Sequence, residues 1–382
     1  MNSKKKPSIA YIITKLELGG AQKVCLSLFT DLQKNDHITW LISGTQGPLT
    51  EKVKKKSNVI LLPSLQRECS WKTIGNECKT FFSLIKILKK LSSDHPDLIV
   101  HTHSTKAGYL GRWAGFFARI KKRVHTIHGF GFHEHQSRIG YGITYLLELI
   151  TSLITTHYIC VSTNDQNIGT RLLPWFSSKN SLIRAAVEDK KFVSATVSVN
   201  YNDKVFVFGT VSCFKEQKNL FDLLTAFEKV YTQHNYARLE IIGDGYLRSD
   251  IELWIKEKKL TNVITLHGWQ EDVAVYMKQW HAFVMSSLWE GLPCAAVEAR
   301  FLKLPVICYQ VGGIQDLIIS GKNGFLYEQK NIHGLVQGMS SLITDPILYK
   351  KLRLHPDDLS TFTCAHMIKR HSILYQSIAI NK

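Results

Sequence analysis

The sequence lacks the motifs of a disulfide-bonded, zinc-binding or membrane-spanning protein. Its eight cysteines include no Cys-x-x-Cys pair, so neither a disulfide framework nor a zinc ribbon is indicated. The most apolar stretch, residues 141–161, is interrupted by Glu148 and His157 and falls short of the ~18 uninterrupted apolar residues of a membrane span. The run 9–13 is too short for the apolar core of a signal peptide. These absences favour a cytoplasmic protein with reduced thiols.

Two further absences restrict the kinds of ligand that we expect. The chain has neither the Gly-x-Gly-x-x-Gly fingerprint of dinucleotide binding nor a His-Glu-x-x-His pair, although it has 16 histidines. His133 and His135 are two residues apart and have no cysteine partner nearby, so we expect no bound metal and no cofactor. The net charge of +17 favours an anionic partner. Because the basic residues are dispersed in short clusters, we expect a phosphorylated ligand or a membrane surface and no nucleic acid.

Apolar runs of strand length alternate with amphipathic segments of helix length along most of the chain. This alternation is typical of βαβ units and parallel sheets. Strands are predicted at residues 8–14, 38–43, 58–62, 97–102, 122–127, 157–161, 205–211, 237–242, 263–266, 281–285 and 305–308. The alternation pauses in a polar segment before residue 204. We therefore predict an α/β fold of two Rossmann-like, doubly wound parallel-sheet domains, 1–190 and 204–365, with a linker at 191–203.

The first candidate ligand-binding residues are the glycines Gly19 and Gly20. Ligands of open parallel sheets bind beyond the carboxyl ends of the strands, and these glycines directly follow the first predicted strand. They also begin a helix, where free backbone amides favour a phosphate or another anion. A tight turn without a ligand explains the pair equally well.

Polar and aromatic residues follow two other strands of the first half. His103 and Lys106 lie after the strand 97–102, and His128 and Phe130 lie after the strand 122–127. An imidazole at the carboxyl end of a strand can face a reacting centre, so His128 is a candidate catalytic residue. The alternative is a histidine that only supports the fold.

In the second half, two lysines and two glycines follow the first two strands. Lys215 and Lys218 lie on a short loop that leads into a helix, where their charge can stabilise a diphosphate leaving group. A solvated loop is the alternative. Gly243 and Gly245 form a turn after the next strand, which lets the backbone approach a ligand closely.

The most specific segment of the sequence spans residues 290–298. It reads Glu-Gly-Leu-Pro-Cys-Ala-Ala-Val-Glu, so that Pro293 begins a helix and Glu298 lies about one and a half turns into it. Small residues around the second carboxylate indicate a packed helix beside a ligand. Glu290 and Glu298 can therefore accept hydrogen bonds from sugar and ribose hydroxyls.

This segment resembles the sugar-donor motif of glycosyltransferase family 4, whose members have the two-domain GT-B architecture. The resemblance covers nearly the whole chain and includes Gly19-Gly20, His128-Gly129, Gln217-Lys218-Asn219, Gly243-Asp244-Gly245, Gly312-Gly313 and Asn323-Gly324-Phe325. It implies two domains that face each other across a cleft, and a final helix at 366–382 that packs back on the first domain.

The resemblance also implies roles for individual residues. Lys218, Glu290 and His128 would be catalytic. Lys218 would contact the diphosphate, Glu290 the donor sugar or a nearby phosphate, and His128 would face the donor sugar at the reaction centre. The donor-binding residues would be Gly19, Gly20, Lys215, Gly243, Gly245, Gly291, Leu292 and Glu298, with the last on the ribose. The acceptor-binding residues would be His103, Lys106 and Phe130.

Two positions depart from the family pattern. The family has arginine five residues before the motif lysine, whereas this chain has Cys213, and Lys215 is the candidate replacement for the missing charge. The chain reads Arg184-Ala185-Ala186-Val187 where relatives often have Asn-Gly-Val, which affects the hinge more than the chemistry.

The resemblance predicts a retaining transferase that moves a hexose or N-acetylhexosamine from a nucleotide-sugar, with UDP by family habit, without a metal. Its acceptor would be a lipid-linked or other glycan of a bacterial surface polysaccharide. The candidates for peripheral contact with the cytoplasmic face of the inner membrane are the aromatic segment 129–145 and basic residues such as Lys89, Lys90, Lys121, Lys122 and Arg123. Ordinary solubility charge with a loop that packs on the core explains them nearly as well. The alternatives are a GT-B epimerase or phosphorylase, and a non-catalytic sugar-nucleotide or nucleic-acid-binding protein.

Overall fold

The computed structural model describes residues 6–66, 74–193 and 204–380, which form two compact units. The first unit contains the described residues up to Ala186 together with those from Cys364 onwards, and the second unit is Val187–Thr363. The first unit thus ends slightly before the predicted boundary at residue 190. The predicted linker at 191–203 begins inside a short helix of the second unit, and residues 194–203 lie outside the described residues.

The described part of the first unit is built on a seven-stranded parallel sheet. Its strands are β1 (Ile9–Ile13), β2 (Thr39–Ser43), β3 (Val59–Leu61), β4 (Ile99–His103), β5 (Lys122–Ile127), β6 (His157–Cys160) and β7 (Asn180–Leu182). They are ordered β3-β2-β1-β4-β5-β6-β7. The order reverses between β1 and β4, which is the point where doubly wound sheets bind ligands.

Helices of the first unit connect these strands. They are α1 (Gly20–Lys34), α2 (Thr50–Val53), α3 (Ile74–Asp94), α4 (Thr105–Phe117), α5 (Arg138–Ser152), α6 (Thr163–Leu172) and the C-terminal α14 (Cys364–Ile380). Although α14 is the last element in the sequence, it packs on α1. The hydroxyl of Tyr375 in α14 bonds that of Tyr11 in β1 at 3.2 Å. The chain thus returns to its first unit after completing the second.

The second unit repeats the same topology with six parallel strands in its described residues. The strands are β8 (Phe206–Val211), β9 (Ala237–Ile242), β10 (Ile264–Gly268), β11 (Ala282–Met285), β12 (Val306–Tyr309) and β13 (Gly324–Tyr327). Their order is β10-β9-β8-β11-β12-β13. The helices are α7 (Asp189–Val193), α8 (Leu220–Gln233), α9 (Arg248–Glu257), α10 (Ala274–Met277), α11 (Cys294–Phe301), α12 (Ile332–Thr344) and α13 (Pro346–Leu354).

The central strands are buried on both faces, which explains their continuous apolar sequences. Every residue of β1, β4, β11 and β12 is buried. Helices cover both sides of each sheet, so that for example Leu84 of α3 packs with Val100 of β4, and Leu224 of α8 packs with Ile241 of β9. The predicted strands are all present, and β7 and β13 are additional. Within the three described ranges, no helix is long and apolar enough to cross a bilayer.

Candidate functional site

In the second unit, the loops that follow β8 and β9 are joined by backbone contacts. The amide of Phe214 donates to the carbonyl of Asp244 at 2.9 Å. Gly243 has a φ of +128°, and a Cβ at this position would lie 1.9 Å from the carbonyl oxygen of Ser212. A Cβ on Gly245 would lie 2.4 Å from the carbonyl oxygen of Phe214. Both predicted glycines are therefore required for this close approach of two loops.

The loop after β8 is also joined to the loop after β11. The amide of Leu288 donates to the carbonyl of Gln217 at 2.8 Å, and the Gln217 side chain donates to the carbonyl of Trp289 at 2.6 Å. The hydroxyl of Ser286 donates to the carbonyl of Asn219 at 2.8 Å. These bonds fix the position of the loop that carries Lys218.

The loop after β12 completes this side of the unit. The amide of Gly313 donates to the carbonyl of Gly291 at 2.6 Å. Gly312 has a φ of +52°, and a Cβ there would lie 2.0 Å from the carbonyl oxygen of Glu290. Four loops, from β8, β9, β11 and β12, are thus fastened to one another at the carboxyl edge of the sheet.

An ion pair between Lys218 and Glu290 lies where these loops meet. Both side chains are largely buried, at 19% and 9% exposure. Burial alone would lower the pKa of Lys218, but the Glu290 carboxylate more than offsets this effect and raises it. Lys218 is therefore held as a positive charge. Lys215 is half-buried at the start of the same one-turn 3-10 helix, Glu216–Lys218.

The second predicted carboxylate lies in the helix that follows the β11 loop. Glu298 is 5% exposed in α11, whose first residue comes directly after Pro293. Gly291 and Leu292 are buried just before it. A carboxylate this deeply buried in a short helix is costly unless it serves a structural partner or a ligand.

In the first unit, the predicted residues lie around the reversal point between β1 and β4. The hydroxyls of Thr14 and Ser104, which follow these strands, bond at 2.7 Å. Gly19 precedes α1 in an extended conformation, and Gly20 is the first helical residue. The first turn of α1 has no acidic side chain, so its free amides keep a partial positive charge.

His128 contacts His103 on the neighbouring strand. His128 Nε2 lies 3.0 Å from His103 Nδ1, and burial lowers the pKa of both rings, that of His128 to about 3. Both rings are therefore neutral, and one proton occupies the bond between them. His103 Nε2 is buried and has no hydrogen-bond partner among the residues that the structure describes, and an unpaired buried N–H is costly. We therefore assign the proton to His103 Nδ1, which makes His128 Nε2 the acceptor and leaves an N–H on Nδ1 of His128.

Further buried histidines connect this pair to α14. The His101 ring lies 4.4 Å from that of His103 and 5.9 Å from that of His371, measured between centroids. Its Nε2 bonds the hydroxyl of Thr126 at 2.7 Å, and its Nδ1 bonds the hydroxyl of Tyr375. The C-terminal helix therefore forms the back wall of the His128 region.

The remaining two predicted acceptor residues have partners within the first unit. Lys106 in α4 pairs with Glu77 of α3. Phe130 is half-buried, with its ring centroid 4.7 Å from that of Phe132. Lys106 follows β4 and Phe130 follows β5, so both lie at the same edge of the sheet as His128. Each side chain already has a contact within the first unit.

Both halves of the chain match family models of glycosyltransferases. The family model described as Glycosyltransferase Family 4 matches residues 18–181, and the model described as Glycosyl transferases group 1 matches residues 195–354. An Escherichia coli protein named UDP-Gal:alpha-D-GlcNAc-diphosphoundecaprenol alpha-1,3-galactosyltransferase is 30% identical over 99% of this chain and 98% of its own length. The capsular polysaccharide biosynthesis glycosyltransferase CapM of Staphylococcus aureus is 24% identical over 70% of this chain and 72% of its own.

The fold is similar to that of solved glycosyltransferases. The crystal structure of Anabaena HepE in complex with UDP and glucose matches with a TM-score of 0.80 and 16% identity, over 97% of this chain and 99% of that chain. Two Rossmann-like domains of this kind define the GT-B fold, as the sequence predicted. The chain belongs to glycosyltransferase family 4 and is a glycosyltransferase. Because the chain is a glycosyltransferase, the alternative predictions of an epimerase and of a non-catalytic binding protein are excluded.

Sequence reasoning missed several residues that hold the site in place. Thr14 directly follows β1 and contacts Ser104, and its position at the reversal of strand order was the available signal. The bonds of Gln217 and Ser286 involve backbone carbonyls of other loops, so no residue pattern indicates them. Tyr375 and His371 lie on a helix far away in sequence, and only the return of the chain to the first unit brings them to His101.

Replacement of Gly312 by alanine should destabilise the second unit more than the same change at Gly321. Both glycines have positive φ, +52° and +76°, so both alanines carry the left-handed penalty of ~1–2 kcal/mol. Only Gly312→Ala also forces a Cβ against a backbone oxygen, whereas the space at Gly321 is open. We expect an additional loss of ~1–3 kcal/mol for Gly312→Ala in urea unfolding, with reduced sugar transfer. Equal losses for the two variants would contradict the fastening of the β11 and β12 loops.

The buried histidines should make the first unit lose stability on acidification. Burial lowers the pKa of His371 from 6.5 to about 4. As the pH falls from 6.5 towards 4, the unfolded chain takes up a proton that the folded chain excludes, so the free energy of unfolding decreases. His371→Gln should reduce this dependence by about 1 kcal/mol per pH unit in urea titrations between pH 6 and pH 5. The control His333→Gln removes an exposed ring of the second unit and should keep the full dependence. An unchanged slope in His371→Gln would show that its ring already takes up the proton in the folded protein.

Proposed function

We propose that this glycosyltransferase transfers a hexose or N-acetylhexosamine from a UDP-sugar to a lipid-linked glycan acceptor, with retention of anomeric configuration. The Escherichia coli relative, which is matched over nearly its full length, is named for UDP-galactose and a diphosphoundecaprenol-linked N-acetylglucosamine. The HepE structure contains UDP and glucose. Together with CapM, these relatives support a role in bacterial surface polysaccharide assembly, such as O-antigen, capsule or lipopolysaccharide, at the cytoplasmic face of the membrane.

The observation that carries the donor assignment is the Lys218–Glu290 pair at the meeting point of four loops. In the free protein the carboxylate balances the charge of Lys218. A bound diphosphate would take over this role, so that Lys218 stabilises the negative charge that develops on the leaving group. Glu290 would then be released to accept hydrogen bonds from hydroxyls of the donor sugar. Because the loops are fastened by backbone bonds, the charges are positioned before the donor binds.

Other residues of the second unit would complete the donor site. Glu298, buried in α11, would bind the ribose hydroxyls, and the close-packed backbone at Gly243 and Gly245 would bring amides to the nucleotide. Gly291 and Leu292 would line the same surface. Lys215 is the only lysine of this loop other than Lys218, and it would supply the second charge that Cys213 does not.

The first unit would contribute Gly19 and Gly20 at the start of α1, together with His128. A neutral His128 whose Nδ1 carries the proton can donate a hydrogen bond to the donor sugar. The buried His103 would hold this tautomer, which changes its proposed role from acceptor binding to positioning. In a front-face transfer the acceptor oxygen bonds to the anomeric carbon on the face from which the diphosphate leaves, so retention requires no carboxylate nucleophile. The leaving diphosphate takes the acceptor proton, so no separate base is required. We propose that the reaction needs no metal.

The decisive experiment measures transfer from a panel of radiolabelled UDP-sugars to polyprenyl-diphosphate N-acetylglucosamine, with the product identified by mass and its anomeric configuration by NMR. Lys218→Met should lower kcat/KM by about 10²–10³-fold, because one charge that stabilises the leaving group is lost. The matched control Lys229→Met removes an exposed lysine of α8 and should have wild-type kinetics.

Two further arms separate the parts of the proposal. Lys218→Met combined with Glu290→Gln removes the unpaired carboxylate. If Lys218→Met is less stable than the wild type in urea unfolding and the double variant regains that stability, the single variant's loss of activity includes a distorted loop. Equal stability of all three proteins assigns the loss to the lysine charge. If Lys218→Met retains most of kcat/KM with every donor, the diphosphate assignment is wrong. Transfer abolished by excess chelator and restored by a divalent ion would refute a metal-free reaction, and an inverted product would refute retention.

A further inference from the structure

The helix α5 of the first unit presents its apolar side chains to solvent. Six aliphatic residues between positions 139 and 153 are 43–77% exposed. Their spacing places them on one side of the helix, along its whole length. They are Ile139, Ile143, Leu146, Leu147, Ile150 and Leu153. A continuous exposed stripe of this size is uncommon on a soluble surface and marks an interaction site.

The opposite side of α5 is held by polar contacts and by the packing of Tyr145 and Leu149 on the core around Tyr158. Glu148 is buried and receives two hydrogen bonds from the guanidinium of Arg112 in α4, at 2.7 and 2.8 Å. The indole N–H of Trp113 donates to the Thr151 hydroxyl at 3.1 Å. Rotation of the helix to bury its aliphatic stripe would expose or unpair these groups, and Arg112 would be left as a buried charge without a partner. The outward direction of the stripe is therefore a stable property of the fold.

A basic and aromatic cluster lies at one end of this stripe. Phe116, Phe117, Arg119, Lys121 and Arg123 line a common recess. The Arg123 side chain donates to the carbonyl of Ile154 at 2.6 Å, directly after the last residue of the stripe. Its guanidinium also lies 5.6 Å from the centre of the Phe116 ring. Exposed aliphatic and aromatic groups are thus continuous with three positive charges.

We propose that this surface, α5 with the recess at the end of α4, docks on an anionic lipid bilayer. Aliphatic side chains on one helix face enter the boundary between headgroups and acyl chains, while arginine and lysine beside them bind anionic headgroups. The charge of the surface argues against a second copy of the chain as its occupant. A second copy would present the same aliphatic and basic side chains, none of them acidic, so it would offer no counter-charge to Arg119, Lys121 and Arg123. Anionic headgroups would supply that counter-charge.

On the proposed function, on which this consequence rests, a docked enzyme would meet a lipid-linked acceptor by diffusion within the plane of the bilayer. The membrane contact then falls on the aliphatic outer face of α5, which begins within the predicted segment 129–145, and not on the aromatic residues of that segment. The aromatic residues of that segment pack inward, with Phe130 and Tyr145 against the core around Tyr158. Of the predicted basic residues, Lys121 and Arg123 belong to the surface.

The test is co-sedimentation of the full chain with vesicles of phosphatidylcholine, with and without phosphatidylglycerol, at low and high salt and without any donor. We expect binding that requires the anionic lipid and weakens with salt. The double variant Ile143→Ser, Leu147→Ser should bind at least about tenfold more weakly. Its matched control, Leu253→Ser with Ile347→Ser, removes two exposed aliphatic residues of the second unit and should bind like the wild type.

A charge arm tests the basic cluster separately. Arg119→Gln with Lys121→Gln should reduce binding about tenfold and weaken its salt dependence, whereas Lys229→Gln with Lys256→Gln should not. Binding that is indifferent to anionic lipid, or equal loss in the control variants, would overturn the proposal. The proposal would also be overturned if the wild type did not bind vesicles and instead formed a concentration-dependent dimer that the double variant Ile143→Ser, Leu147→Ser does not form.

Transfer assays then separate this inference from the proposed function. With a short-chain, water-soluble acceptor, the stripe variant should keep wild-type kinetics, and with acceptor embedded in vesicles it should lose rate in parallel with binding. Equal loss on both acceptors would place the stripe in the catalytic machinery and overturn docking. If no donor supports transfer but vesicle binding follows the variants as expected, the proposed reaction fails while the docking surface stands.

Discussion

Both units depend on one geometric constraint, which is that all strands of a parallel sheet end at the same edge. The loops that leave this edge are crowded, and their backbone groups must bond to one another because buried N–H and C=O groups are costly without partners. In the second unit this requirement joins the loops after β8, β9, β11 and β12. Gly243 and Gly312 allow the closest approaches. The fixed position of Lys218 and Glu290 is a consequence of this backbone network.

The two units solve the burial of polar side chains differently. The second unit keeps a charge at its loop junction by pairing Lys218 with Glu290, and the first unit keeps its histidines neutral by burying them together. A neutral imidazole has one hydrogen-bond donor and one acceptor and attracts no counter-ion. A lysine that is paired with a carboxylate remains positively charged and can bind an anionic ligand in place of that carboxylate. These two environments would suit the proposed reaction, in which the leaving group is anionic and the sugar is not.

The sequence predicted those structural elements whose residue pattern has a single physical cause. Buried parallel strands are continuous apolar runs, and so all eleven predicted strands are present. β7 and β13 were missed because they are short edge strands: β7 reads Asn-Ser-Leu, and β13 has only three consecutive apolar residues after Gly324, fewer than the roughly four to eight of a clear strand signal. The glycines and the 290–298 segment were found because turns and helix starts restrict residue type. The loop-to-loop bonds were not, since most of them join backbone groups that every residue has.

The direction of α5 shows most clearly what periodicity omits. A 3.6-residue period predicts that a helix has two unlike faces, and the default assumption places the apolar face inside. Here the side chain of Arg112, buried in α4, requires a carboxylate partner, and Glu148 is the residue that supplies it. An unpaired buried charge costs about 3–5 kcal/mol, and full burial of an aliphatic side chain gains ~1.5–3 kcal/mol. The six side chains of the stripe are 43–77% exposed, so rotation of the helix would gain only part of that amount for each. The inward face is held by the Arg112–Glu148 pair, by the bond from Trp113 to Thr151, and by the packing of Tyr145 and Leu149 on the core. A bilayer would cover the outward face without breaking any of these contacts.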